Sequence, residues 1–99
     1  MQIYKFETSI TSVGGTVSVN TLDIIGGLCH QVYVKAASSG TTFQTTITDD
    51  ASRVVRNYDY HTDFILDEAP LIMQGVYTVQ IVNGSHDQDY EILLMLREQ

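Results

Sequence analysis

The stretch Leu28-Cys29-His30-Gln31-Val32-Tyr33-Val34-Lys35-Ala36-Ala37 decides the fold class. Its residues alternate with a period of two. Leu28, His30, Val32, Val34 and Ala36 fall on one side, and Cys29, Gln31, Tyr33 and Lys35 on the other. That pattern is a β-strand; a helix would repeat its apolar residues every three to four positions. Ser38-Ser39-Gly40 ends the strand with turn-forming residues.

The same alternation continues downstream. Thr41 to Thr48 places Phe43, Thr45 and Ile47 on one face, and Asp49-Asp50-Ala51-Ser52 is a turn that Asp side chains stabilise. Arg53 to Tyr60 returns. Pairing Thr48 with Arg53 sets Ile47 opposite Val54 and Phe43 opposite Tyr58, two favourable cross-strand contacts. Phe64-Ile65-Leu66 is a short strand, and Asp67 to Pro70 a loop. Leu71 to Met73 and Val76 to Val82 read as one strand bent at Gly75. Asn83-Gly84 is a strong hairpin signal, since both residues tolerate positive φ. A two-residue turn there predicts Tyr77 opposite Tyr90, Met73 opposite Leu94 and Leu71 opposite Leu96. A slip by two residues also keeps the faces matched.

Upstream, residues 2–8 form a first strand carrying Ile3, Tyr4 and Phe6. Ser12-Val13-Gly14-Gly15 is a turn, and residues 16–19 set Val17 and Val19 on one face. After Leu22-Asp23-Ile24-Ile25, the pair Gly26-Gly27 marks a bend or bulge. The total is roughly seven to nine short strands and no helix, an all-β antiparallel sandwich or jelly-roll-like barrel. Residues 1–99 make one domain, in which residues 1–25 are a candidate intersubunit arm.

Composition agrees. Val, Ile, Thr, Tyr and Phe supply 39 of 99 residues, against eight for Ala and Glu combined; these are strand formers over helix formers. At this length, apolar burial and chain-ordering entropy nearly cancel, at about 150 kcal/mol each. Contact with a partner or a second copy is a natural supplement.

The net charge of -7 disfavours nucleic acid, because Lys5, Lys35, Arg53, Arg56 and Arg97 are scattered rather than clustered. No apolar run is long enough for a transmembrane helix, so no membrane partner is expected. The opening residues lack the apolar stretch of a secretory signal, which points to a reducing compartment with Cys29 as a buried small hydrophobe. One Cys permits neither an intrachain disulfide nor a multi-cysteine zinc site.

Reactive constellations are weak. Asp59, His61 and Asp63 share a face if their strand continues, a spacing that could hold a divalent metal but equally marks a polar strand end. The acidic run His86 to Glu91 lacks the glycine and carboxylate spacing of a calcium loop. There is no Gly-x-Ser-x-Gly, Cys29 and His30 point to opposite faces, and neither Gly-Gly pair leads into a helix. Asn83-Gly84-Ser85 matches a glycosylation acceptor but reads more simply as a turn. No catalytic, cofactor-binding or metal-binding residue is assigned. The candidate partner-binding residues are the aromatic and apolar ones at strand positions: Ile3, Tyr4, Phe6, Tyr58 and Tyr60.

Two segments carry a family resemblance. Thr45-Thr-Ile-Thr-Asp-Asp-Ala-Ser-Arg-Val-Val55 ends a strand in Ile47-Thr48-Asp49. Gly75-Val-Tyr-Thr-Val-Gln-Ile-Val-Asn-Gly-Ser85 sets Gly75, Tyr77, Val79 and Ile81 ahead of a turn at Asn83. This pattern resembles small β-sandwich virion proteins of tailed bacteriophages, among them capsid decoration (cement) proteins. It covers the chain from about residue 40 to its end. Where that family often has glycine in the first turn, this chain has Ala51-Ser52. The resemblance implies a non-enzymatic virion protein, made in the host cytoplasm and placed on the capsid exterior. It would bind the major capsid protein, associate with itself as a dimer or trimer, and stabilise the shell. The alternative is a tail or fibre component or a carbohydrate-binding β-module.

Overall fold

Alternating apolar positions leave each strand with a face to bury, and this chain buries those faces by stacking two antiparallel sheets. The computed structural model describes residues 3–84 and 86–98. In chain order the strands are β1 (Ile3–Ser12), β2 (Thr16–Asn20), β3 (Ile24–Ala36), β4 (Thr42–Thr48), β5 (Val54–Thr62), β6 (Phe64–Asp67), β7 (Leu71–Gly75), β8 (Thr78–Val82) and β9 (Gln88–Glu98). One sheet runs β1-β9-β3-β6, with β7 also pairing with β3; the other runs β2-β8-β4-β5. Among the described residues there is no helix, and none long and apolar enough to cross a membrane.

The core lies between the sheets. The larger sheet contributes Val32 and Val34 from β3, Ile65, Met73, and the row Tyr90, Ile92, Leu94 and Leu96 from β9. The smaller contributes Phe43, Ile47, Val79 and Ile81. Phe43 meets Tyr90 edge-on across the gap, with ring centroids 5.1 Å apart. Cys29 is buried, as its sequence context suggests.

The structure corrects four details of register and connection. First, a bulge between Cys29 and Gln31 switches faces within β3. Cys29 therefore joins Val32, Val34 and Ala36 in the core, and Leu28 does not. Second, Ile47 faces Arg56 and Phe43 faces His61, not Val54 and Tyr58. The turn closes between Thr48 and Val54, and two bulges each add a residue to β5.

Third, β7 and β8 are not one bent strand: the chain leaves one sheet at Gly75 (φ 96°) and enters the other at Thr78. Fourth, Asn83-Gly84 is not a hairpin. It carries the chain from β8 in the smaller sheet to β9 in the larger, so the predicted pairs Tyr77–Tyr90, Met73–Leu94 and Leu71–Leu96 do not form. Asn83 is instead buried, its Nδ2 donating to Tyr90 Oη at 2.6 Å and to Ser12 Oγ at 3.3 Å. Ser85 of the acceptor-like triplet and Gln2 of the predicted first strand lie outside the described residues.

Gly26-Gly27 does mark a bulge. Gly26 has φ 64°, and β3 slips in register against β7 between Ile24 and Gly27. A Cβ on Gly27 would stand 2.6 Å from the Tyr4 hydroxyl, so this glycine makes room for a ring from β1. The turn at Asp49 to Arg53 holds Ser52 at φ 64°, where L-residues are strained. Asp49 secures it by accepting from the backbone N–H groups of Ala51 and Arg53 and from Arg53 Nε.

Two substitutions test these assignments in urea unfolding. Leu94→Ala, at a fully buried position, is expected to cost about 3 kcal/mol. Ser52→Gly is expected to raise stability by about 0.5 kcal/mol by relieving the left-handed conformation.

Candidate interaction site

The predicted anchors of the N-terminal segment sit on β1, an edge of the larger sheet that pairs only with β9 among the described residues. Strand alternation divides them. Tyr4 and Phe6 turn inward and pack against the core, while Ile3 turns outward and is 62% exposed. The three do not form one apolar anchor. The edge itself offers ten residues of backbone for pairing.

Tyr58 and Tyr60 lie on β5, the far edge of the smaller sheet, and have different surroundings. Tyr58 is half-buried against the core, and its hydroxyl donates to Asp67 Oδ2 at 2.7 Å. Arg56 reaches the same corner, donating to the Pro70 carbonyl at 3.0 Å and standing 3.9 Å from Asp67. These bonds tie β5 to β6 and its loop, closing the sandwich where the two sheets have no ladder between them. Tyr60 is 61% exposed.

Tyr60 also borders a cleft of about 520 Å³ at the end of the sandwich, with Ser38, Thr41, Asn83, His86 and Gln88 among its other lining residues. Hydroxyls of serine and threonine and the Gln88 amide share this wall with apolar surface. The three residues considered for a metal do not converge. Asp63 adopts φ 72° and its carboxylate accepts from the Gly40 N–H, while His61 Nδ1 contacts the Asp59 carbonyl. Among the described residues no group of three potential ligands gathers at one point.

A further surface escaped the sequence reading. The outward face of the larger sheet carries Leu93 of β9, Tyr33 of β3 and Leu66 of β6 as one continuous row across three strands. A second row joins Arg97, Leu28 and Ile72. Phe64 packs beside Tyr33, with ring centroids 6.3 Å apart. The available signal was the unbroken apolar run Ile92-Leu93-Leu94-Met95-Leu96, which leaves a strand no polar face.

The corner bonds set a pH dependence. The Tyr58 hydroxyl holds the Asp67 carboxyl below its ordinary range, against the opposing push of burial, with the Ala69 N–H and Arg56 adding to the lowering. That stability is present above the unfolded carboxylate pKa of about 3.9 and is lost as pH falls through the depressed folded value. Tyr58 is raised, first by burial and then by its bond to Asp67. Its contribution is present below the unfolded tyrosine pKa of about 10 and is lost as pH climbs beyond it. Asp67→Asn and Tyr58→Phe are each expected to cost about 1.5 kcal/mol at neutral pH. Asp67→Asn should also flatten the loss of stability below about pH 4, read from urea midpoints across a pH series. An acid limb identical to that of the parent protein would assign the effect elsewhere.

No family model matches this sequence, and no curated protein matches it. Solved structures do share the fold. A chain of the cyanophage Pam1 capsid asymmetric unit aligns with a TM-score of 0.67 at 9% identity, over 98% of this chain and 85% of that one. A chain of the acid-stable capsid of Helicobacter pylori bacteriophage KHP30 aligns at 0.62 and 6% identity, over 95% and 86%. The pre-peptidase C-terminal domain of a Bacillus anthracis collagenase aligns at 0.62 and 13% identity, over 89% of each chain. At these identities the likeness is one of fold.

Proposed function

We propose that this chain is a non-enzymatic structural protein of a tailed-phage virion, made in the host cytoplasm and bound to the capsid exterior. There it would act as a decoration or cement protein on the major capsid protein. The observation that carries this reading is the near-complete overlap of its fold with chains from two phage capsids. The Ile47-Thr48-Asp49 and Gly75 to Asn83 motifs point the same way. So does the chemistry of the surface. The net charge of -7 suits an outer position on a container of DNA, because it repels phosphate. The open edge of β1 supplies a means of attachment by strand addition, with Ile3 beside it as an apolar contact.

A second reading has its own support. The cleft beside Tyr60 combines an exposed aromatic ring with hydroxyl and amide groups, the chemistry that holds a sugar. A carbohydrate-binding module of a tail or fibre would use it.

One binding assay separates the two. Purified protein is mixed with empty shells assembled from the capsid protein of the same phage and then sedimented. The decoration reading expects stoichiometric co-sedimentation, a higher melting temperature of the shell, and binding weakened about tenfold by Ile3→Asp. Tyr60→Ala should leave capsid binding unchanged. An absence of co-sedimentation, together with saturable glycan binding lost in Tyr60→Ala, would replace decoration with the sugar-binding role.

A further inference from the structure

The two sheets treat their outward faces differently. On the smaller sheet the outward row Ser18, Gln80, Thr46 and Asn57 is polar across all four strands. That is the expected alternation for a sheet with one face in water. On the larger sheet the corresponding row is Leu93, Tyr33 and Leu66, bounded on β1 by Glu7. Phe64 is 51% exposed, Leu66 49% and Ile72 67%. Three strands of this sheet, β6, β7 and β9, are apolar at consecutive positions, the pattern of strands covered on both sides.

Charge narrows the choice of cover. The outward charged positions of β1, β9 and β3 are Lys5, Lys35 and Arg97 with Glu7, Asp89 and Glu91. Three positive and three negative groups sum to zero, so the net charge of -7 lies elsewhere on the molecule. A strongly charged partner finds no complement here. A second copy does: two such faces meet without bringing the acidic surfaces together.

Area agrees as well. With about 200 Å² for a full large apolar side chain, Phe64, Leu66 and Ile72 expose on the order of 300 Å² between them. The half-buried Leu28, Tyr33, Leu93 and Met95 bring the apolar total toward 500 Å². A standard interface buries about 800 Å² per partner, and in homodimers about 65% of that is apolar, or roughly 520 Å². The face comes close to that requirement by itself.

We propose that the outward face of the larger sheet, centred on Leu93, Tyr33 and Leu66, packs against the same face of a second copy of this chain. The contact is isologous and closes as a dimer of stacked sheets. It deepens the virion reading by naming the self-contact, but it does not require a capsid. Its test uses the purified chain alone, so its failure is distinct from a failure of capsid binding.

The test measures mass by sedimentation over a concentration series. The expected result is a species of twice 11.1 kDa. Leu66→Asp combined with Ile72→Asp should weaken it at least a hundredfold, whereas Thr46→Asp combined with Gln80→Asp on the other sheet should leave it intact. Where the aspartates unfold the chain, as circular dichroism would show, Leu66→Gln with Ile72→Gln serves the same purpose at lower cost. A monomer at every concentration overturns the proposal and leaves the face to a different protein. A trimer overturns the isologous contact. A dimer indifferent to the Leu66 and Ile72 substitutions overturns the assignment to this face.

Discussion

Everything in this molecule hangs on β9. Its inner row, Tyr90, Ile92, Leu94 and Leu96, is at most 1% exposed, and its two edges pair with β1 and β3 along nearly their whole length. The first and last strands of the domain are thereby joined, and the long β3 is held against the last. The smaller sheet can then close over the inner row, with Phe43 meeting Tyr90. Most of the tertiary contacts are consequently non-local in sequence. Such a fold gains little until distant segments meet, so loop closure must precede its reward.

How the strands connect follows from where polar groups can be satisfied. Asn83 is a turn residue by type, yet it sits in the interior, where its Nδ2 donates to Tyr90 and Ser12 and its own N–H reaches the Gly15 carbonyl, while its Oδ1 has no partner among the described residues. Ser12 in turn accepts from the Gln88 N–H and donates to the His86 carbonyl. This buried cluster fastens the β1–β2 turn to the β8–β9 crossing at one end of the sandwich. At an open side, Arg56, Tyr58 and Asp67 do the comparable work, since β5 and β6 belong to different sheets.

The fold class was legible because alternation is a local property: Phe43, Thr45 and Ile47 are all fully buried on one face, as their spacing requires. Register and connection were not. A bulge adds a residue without leaving a compositional trace, so β5 slid against β4 and Cys29 changed sides. Asn-Gly between apolar strands favours a hairpin locally, and only the competing pairings of β8 with β4 and of β9 with β3 override it. Of the proposed contact residues, Tyr58 is bonded to Asp67 and Tyr4 packs over Gly27. A tyrosine's type says nothing of whether its hydroxyl has a partner. The outward row on the larger sheet was written in the unbroken run Ile92 to Leu96, but a run apolar on both faces does not reveal which face the core takes.

The burial of Asn83 also bears on how long a molecule of this kind lasts. An Asn-Gly pair ages chemically: the glycine nitrogen attacks the side-chain carbon, ammonia leaves, and a succinimide opens to aspartate or isoaspartate. In this fold the Asn83 side chain is pinned by Tyr90 and Ser12 at 4% exposure. The ring cannot close until that end of the sandwich lets go. The rate of this slow, irreversible mark is then governed by opening of the fold rather than by the intrinsic lability of the dipeptide. Each isoaspartate at residue 83 would record a past excursion from the native state.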